Sequence, residues 1–371
     1  MTSLSACMIV KNESEMLKLT LPGISNVVDE LIVVDTGSSD DTISIAGSFG
    51  AIVKEFAWIN DFAAARNESI MDASSEWILW IDADEYIKEE DLFALKKYLD
   101  SIPEEESGLM IPIYQCKKGE LDEQGDHYSR VKLFRNNRGL RFDRPINEQV
   151  ITPDGIFLQG SCWAGARIYH WGDVGITEER FAAKRQRNIS MLEEVKKNNP
   201  DDFQYMFLLA RNYYLAKDYS KVLGYLDEIQ NKLTLPEYLY CEFYQLKLNC
   251  IKEINGEEAF FNSLVEMATK DPSFAWVIWT LAHELLKRGR IDEAEQYANS
   301  ILELQVPAAA AGVDVDLESY LYKPYYILGV IYDCRQNSSQ AMYYYKKALE
   351  FQYEALLANR VAELTSKEAK L

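Results

Sequence analysis

The sequence is short of positive charge, of histidine, of paired cysteines and of long apolar runs, and each shortage narrows what the chain can be. No window approaches ~18 uninterrupted apolar residues, so no transmembrane helix is expected. The opening MTSLSACMIVKNES has no basic n-region and no long apolar h-region, and it reads as a strand, not a signal peptide. Six cysteines (Cys7, Cys116, Cys162, Cys241, Cys250, Cys334) are scattered through 371 residues without a CxxC pair. That pattern points to reduced thiols in a cytoplasmic protein, and away from a disulfide framework or a zinc site. Lys and Arg number 39 against 59 Asp and Glu, a formal charge of −20. Such a surface repels nucleic acid, which is discounted as a partner. It repels a nucleotide diphosphate as well. A diphosphate site in this chain therefore needs a divalent cation, a helix N-terminus or a few placed cations.

What is present is ample for a packed interior. Hydrophobic residues make up 48% of the chain and aromatics 12%. The length suggests about two domains. In the first half, apolar runs alternate with helical stretches. Leu4–Val10 and Trp77–Ile81 read as buried strands, and Leu31–Val34 and Ala51–Lys54 as further short strands. Helices are expected from Ser14, over Asp41–Phe49 with Ser39 or Asp40 as cap, and over Phe62–Met71. Strands this apolar, interleaved with helices, predict an α/β domain built on a mostly parallel sheet covered on both faces.

From about Glu178 the strand pattern stops and helical periodicity takes over. The expected division is residues 1–176 as the α/β domain and 177–371 as a helical domain. Phe203–Gln230, Phe274–Leu304 and Tyr322–Phe351 each read as a helix–turn–helix pair. Small residues recur in register: Gly329, Ala341 and Ala348 stand 12 and 7 apart, and Ala282 and Ala294 again 12 apart, while Ala210 is followed at that spacing by Val222. This is the close-packing pattern of tetratricopeptide-type (TPR-like) repeats, with a generic helical bundle as the competing reading. Gln305–Asp316 reads as a loop between pairs. The tyrosine-rich stretch Tyr322–Tyr345 fits packing between repeat helices, and equally an interface that would make a homodimer.

Two segments carry the chemistry. Asp82-Ala83-Asp84-Glu85 directly follows the strand Trp77–Ile81. Alternate residues of an extended segment share a face, which would bring Asp82 and Asp84 together as ligands for a hard divalent metal holding phosphate oxygens. A lone DxD is commonly a solvated turn, but the end of a buried strand is where open α/β sheets bind ligands. In Val33–Thr42 (VVDTGSSDDT), Asp35 closes a strand before a Gly/Ser turn and a helix, which presents a carboxylate to a base or ribose. Alone, that segment reads as an ordinary strand–turn–helix corner.

Together, CMIVKNE (Cys7–Glu13), VVDTGSSDDT, NDFAAARN (Asn60–Asn67) and WILWIDADE (Trp77–Glu85) resemble, in order and spacing, the family 2 glycosyltransferases of the GT-A type. The resemblance covers roughly the first 175 residues and is greatest to members with a TPR-like tail. It implies a nucleotide-sugar fold, a UDP-sugar donor, Mg²⁺ or Mn²⁺, and inversion at the anomeric carbon. Carried over, it places Val10, Asn12, Glu13 and Asp35 at the uridine, Asp82 at the ribose or sugar, and Asp84 on the metal. Arg66 and Asn67 brace the region. Arg66 is the candidate partner of Asp82 or a phosphate, with a helix-surface ion pair as the plainer alternative.

Two later segments extend the match. Ser129–Arg135 and Arg144–Val150 resemble the stretch that ends in a His-Glu pair, which here is Asn147-Glu148. Glu148 is thus the candidate base that takes the acceptor's proton, with Asp173 in reserve; a salt bridge from Glu148 to Arg141 or Arg144 is the plainer role. Ile168–Asp173 (IYHWGD) resembles the family's strand end that returns a histidine to the metal. Of the chain's three histidines, His127 falls in a polar loop and His283 on a repeat helix, which leaves His170 as the metal ligand. A satisfied buried histidine is the alternative.

The expected function is transfer of a hexosyl group to a peptide or protein side chain (Ser, Thr or Cys), since TPR arrays form grooves suited to peptides. A cell-envelope glycan or lipid-linked acceptor is the second reading. An inactive TPR scaffold is the third, opposed by the retained Asp82, Asp84, Glu148 and His170. A nucleotidyltransferase ranks low, because MIVKNESE is no Gly-rich basic phosphate loop.

Overall fold

The computed structural model describes residues 2–123, 125–174, 177–232, 239–306, 317–352 and 354–368, side chains excepted at 173–174, 232 and 367–368. It divides into two compact units, Met1–Asn198 and Asn199–Leu371.

The first unit begins β1 (Leu4–Val10), α1 (Ser14–Ser25), β2 (Glu30–Asp35), α2 (Thr42–Ser48), β3 (Ile52–Glu55), α3 (Phe62–Met71), β4 (Trp77–Trp80) and β5 (Glu85–Ile87). It continues with α4 (Glu89–Tyr98), β6 (Gly108–Lys117), β7 (His127–Arg135), β8 (Arg141–Asp143), β9 (Gln149–Ile151), β10 (Ser161–Cys162), β11 (Ile168–Val174) and α5 (Glu178–Asn198). The main sheet has nine strands in the order β3-β2-β1-β4-β7-β6-β11-β5, with β10 also on β6. β1 pairs in parallel with β2 and β4, and β2 with β3. The far half is mixed: β7 runs antiparallel to β4 and β6, β11 parallel to β6, and β5 antiparallel to β11.

The all-apolar strands are explained by burial on both faces. Along β1 and β4, Leu4, Ala6, Met8, Trp77 and Leu79 pack into one layer with α1 and α4 residues such as Leu17 and Leu92. The alternate residues Cys7, Ile78 and Trp80 pack into the other, against Ala63 of α3 and Phe142 of β8. Asp61 caps α3 by accepting from the Ala64 N–H at 2.8 Å. Asp40, not the N-cap Asp41, holds the start of α2, accepting from the Thr42 N–H at 3.1 Å.

One turn decides where the chemistry goes. After β4 the chain does not add β5 alongside it; β5 crosses to the far edge of the sheet and pairs with β11, His170 facing Glu85. The DADE segment is therefore a bridge between two regions of the sheet. It is a turn and not an extended strand end, closed by the Glu85 N–H to the Asp82 carbonyl at 3.0 Å.

The second unit is helical: α6 (Phe203–Leu215), α7 (Tyr219–Lys232), α8 (Tyr240–Lys270), α9 (Ala275–Lys287), α10 (Ile291–Leu302), α11 (Glu318–Leu321), α12 (Lys323–Cys334), α13 (Ser338–Leu349) and α14 (Ala355–Glu368). The three expected pairs are α6–α7, α9–α10 and α12–α13. The sequence reading had no helix for α8, which a kink at Gly256, at φ 84°, divides into two helical segments. The in-register small residues Ala210, Val222, Ala282, Ala294, Ala341 and Ala348 are all fully buried. Gly329 is required as glycine, because a Cβ there would lie 2.3 Å from the Tyr345 ring. The tyrosines of this stretch stack on one another, as Tyr322 on Tyr326 and Tyr332 on Tyr344. The loop expected over Gln305–Asp316 lies almost wholly outside the described residues. Helix α5, which the sequence reading grouped with the repeats from residue 177, is part of the first unit. Among the described residues no helix is long and apolar enough to cross a membrane.

Candidate functional site

A cavity of about 530 Å³ opens within the first unit at the C-terminal ends of β1 and β4. Its floor comes from the loop after β1 and the DADE turn. Val10, Asn12, Glu13, Asp82, Asp84, Glu148 and His170 line it.

The β1–α1 loop is tied to the VVDTGSSDDT turn. The Asn12 backbone, left-handed at φ 56°, donates to Ser38 Oγ at 2.8 Å, and its side-chain Oδ1 accepts from the Ser39 N–H at 2.7 Å. The Glu13 N–H donates to Thr42 Oγ1 at 2.8 Å. Asp35 is 2% exposed. Its Oδ2 accepts from the Gly37 and Ser38 N–H groups, each at 2.9 Å, while its Oδ1 is buried with no hydrogen-bond partner. A buried carboxylate oxygen without a donor is costly, and such an atom marks a place where a ligand N–H or O–H is wanted.

The two aspartates of the DADE turn part company. Asp82 Oδ1 accepts from Arg66 Nη2 at 2.7 Å, and Arg66 Nε donates to Glu148 Oε1 at 2.7 Å. Arg66 is 5% exposed and lies 4.4 Å above the Trp80 ring centre. Burial opposes charge on Asp82, but Arg66, with Lys132 and Arg130 behind it, holds its carboxyl well below the usual range. Arg66 thus meets one of its two expected partners, Asp82, and adds Glu148; the Glu148 side chain pairs with Arg66, not with Arg141 or Arg144. Two residues shortly before it, Arg144 (φ 77°) and Asn147 (φ 57°), have left-handed backbone.

Asp84 turns the other way. Its Oδ2 stands 3.4 Å from His170 Nε2, and His170 Nδ1 hydrogen bonds Gln115 Oε1 at 2.9 Å. The approach depends on Gly172: a Cβ there would lie 1.8 Å from Asp84 Oδ2 and 3.0 Å from His170 Nε2. Trp171 N–H to the Asp84 carbonyl at 2.8 Å clips the two segments together. Glu13, on the same floor, has its carboxyl pushed up to about 7 by burial first and then by the charge of Asp84, against an opposing effect of Arg180.

Several expected residues stand apart. Asn67 does not line the cavity; it braces it, bonding both the N–H and the C=O of Phe142 at 2.8 and 2.9 Å. The side chain of Asp173 lies outside the described residues. His127 stacks on Tyr114 and His283 on Trp279. Sequence reasoning missed Trp80 as a platform under three cations: Arg66, Arg130 at 4.9 Å and Lys132 at 3.5 Å. It also missed the buried pair Lys132–Glu85 at 2.6 Å that supports the turn, and Arg180, Lys184 and Arg187 of α5 on the cavity wall. The i, i+4, i+7 spacing of those cations was available as a signal.

Asp84 and His170 are a carboxylate and an imidazole converging on one point, a donor set that fits Mn²⁺ or Mg²⁺ with phosphate oxygens completing the shell. No group of three or more protein donors is assembled among the described residues.

Residues 5–171 match the family model for Glycosyl transferase family 2. A TPR repeat-containing protein of Synechococcus elongatus is 35% identical over 54% of this chain and 50% of its own length. The SPbeta prophage-derived glycosyltransferase SunS of Bacillus subtilis is 27% identical over 83% of this chain and 64% of its own. The chain thus spans between half and two thirds of the length of these relatives. Among solved structures, Staphylococcus aureus TarS superimposes with a TM-score of 0.39 at 13% identity, covering 66% of this chain and 52% of that one.

Proposed function

We propose that the family 2 glycosyltransferase domain formed by residues 5–171 moves a sugar from a UDP-type donor to a peptide or protein side chain, with inversion at the anomeric carbon. The observation that carries this reading is the convergence, on one cavity, of the Asp84–His170 pair and the Arg66-held carboxylates Asp82 and Glu148; the unsatisfied Asp35 oxygen belongs to the residue just before Thr36 of the cavity lining.

Each group has a part. The free Asp35 Oδ1 accepts the N–H of a base seated over Val10 and the Asn12–Glu13 backbone. Asp82, kept ionised by Arg66, accepts from ribose or sugar hydroxyls. Asp84 and His170 would hold Mg²⁺ or Mn²⁺, which when bound supplies positive charge to the leaving diphosphate. Glu148 takes the proton of the acceptor hydroxyl or thiol. The acceptor atom bonds to the anomeric carbon from the face opposite the nucleotide, and the electron pair of the cleaved C–O bond leaves with the diphosphate. One displacement inverts the centre, so no second nucleophilic carboxylate is needed. Residues 199–371 supply the acceptor's binding surface, since TPR-like arrays present grooves to extended peptides.

The test pairs Asp84→Ala and His170→Gln with the wild type in a UDP-sugar turnover assay with Mn²⁺. Loss of more than about 100-fold in each is expected, several kcal/mol of transition-state stabilisation. Wild-type turnover in Asp84→Ala would sink the assignment. A wild type that binds no nucleotide with Mn²⁺ would make the chain a scaffold instead.

A further inference from the structure

Helix α5 lies past residue 171, where the family match ends, yet it is folded into the first unit. It brings Arg180, Lys184 and Arg187 to the wall of the cavity that holds Asp84 and His170. Their spacing puts them on one helix face. Arg185, in the same run, faces elsewhere and lies 3.8 Å from Glu178. The sorting is specific: in a chain of charge −20, three cations of one helix are collected at the acidic site. Arg187 is held in place by neutral groups. Its guanidinium carbon lies 5.2 Å from the Phe62 ring centre, and it donates to Asn188 Oδ1 at 3.1 and 3.3 Å. Phe62 is anchored in turn, its N–H donating to the Pro145 carbonyl at 2.8 Å, three residues before Glu148. The charge of Arg187 is thus positioned by a ring and an amide, which leaves it for an anion. All three side chains are exposed at the cavity.

The same cavity carries Glu13, Asp82 and Asp84. A diphosphate entering there meets repulsion that one divalent cation offsets only in part. We propose that Arg180, Lys184 and Arg187 form an anion subsite for the diphosphate of the nucleotide-sugar donor, on the same cavity as the Asp84–His170 pair. This rests on the donor reading above and adds the groups that hold the phosphates. On leaving-group departure, negative charge grows on the diphosphate, and the row stays fixed to receive it.

The experiment is calorimetric titration of the full chain with UDP and, separately, with uridine, in Mn²⁺. The variants are Arg180→Gln, Lys184→Gln, Arg187→Gln, their triple combination and Arg187→Lys. Each single neutralisation is expected to weaken UDP by about 2- to 5-fold and the triple by more than about 8-fold, as for solvent-accessible charge pairs. Uridine affinity should stay within about 2-fold, and Arg187→Lys should recover part of the loss. The salt dependence of UDP binding should flatten in the triple variant. Because these side chains are exposed, melting temperatures should hold, and a melt of each variant checks this. If the wild type binds neither UDP nor GDP with Mn²⁺, the donor reading itself fails. If it binds UDP and the triple variant binds equally well, only the α5 subsite is overturned. A matching loss of uridine affinity, or unchanged UDP affinity with a raised acceptor KM, also overturns it, assigning the row to the base or to an anionic acceptor.

Discussion

Replacing Arg66 with Met keeps most of the side-chain volume and deletes the charge that two carboxylates share. Arg66 makes 2.7 Å hydrogen bonds to both Asp82 and Glu148, and it is 5% exposed. Removing one member of a buried ion pair costs about 3–5 kcal/mol, because the remaining charge is left without compensation. One cation here serves two acids, so the upper part of that range, about 4–5 kcal/mol, is expected. For a unit of this size each kcal/mol moves the melting temperature by about 2–4 °C, which gives a fall of about 8–20 °C. The pH dependence is diagnostic. In the wild type the Asp82 carboxyl is held well below its usual value by Arg66, despite burial. Its contribution is present above the unfolded value, near ~3.9, and is lost as pH falls through the lower folded one. In Arg66→Met the half-buried Asp82 carboxyl loses its paired cation and burial favours the proton, so the variant loses stability as pH rises above about 4. The deficit should therefore be largest near neutrality and shrink toward pH 4. Urea unfolding followed by tryptophan fluorescence reads this directly, since Trp80 lies under the guanidinium. Adding Asp82→Asn and Glu148→Gln to the variant should restore all but about 1–2 kcal/mol, because no unpaired charge remains. A single variant within about 1 kcal/mol of wild type at pH 7, or a deficit that does not change with pH, would refute the argument.

Three further outcomes are expected. Gly172→Ala drives a methyl to 1.8 Å from Asp84 Oδ2, so Mn²⁺-dependent UDP binding should weaken by at least about 10-fold in titration calorimetry; unchanged affinity would dissociate the Asp84–His170 pair from nucleotide binding. The Glu13 carboxyl is raised from 4.5 to about 7 by burial and then by Asp84. The folded chain therefore gives up stability as pH climbs between those two values, and Glu13→Gln should flatten that slope in metal-free unfolding curves. Gly329→Ala sets a Cβ 2.3 Å from the buried Tyr345 ring, and overpacking of this kind should lower the stability of the helical unit by about 1–3 kcal/mol in urea titration.

The strands and the first helices were readable because their causes are local. A run such as Leu4–Val10 is apolar at all but Ser5 since both faces of its strand are covered, and the observed β1 has those same bounds. Helix α3 likewise matches its expected span Phe62–Met71, with Asp61 as its cap. Periodicity found the repeat pairs and their small residues. It failed at α8, where a glycine with positive φ divides one helical stretch into two and no small-residue register announces the pair of segments.

The candidate site was legible as an inventory and not as an arrangement. Residue types and spacing nominated Asp35, Arg66, Asp82, Asp84, Glu148 and His170, because acids at strand ends and a rare histidine have few cheap structural roles. Alternation along an extended chain put Asp82 and Asp84 side by side; a turn closed by Glu85 sends one to Arg66 and the other to His170. That outcome depends on β5 pairing with β11, residues more than 80 apart in sequence, and on a glycine at 172 that leaves room for a carboxylate. The cations of α5 face the same cavity only because that helix folds back onto the first unit. Local pattern thus determined the elements and their chemical endowment, since propensity and burial act on neighbours in the chain. Which charges meet was decided by strand order and side-chain packing, since Coulomb interactions depend on distance in space and not on distance in sequence.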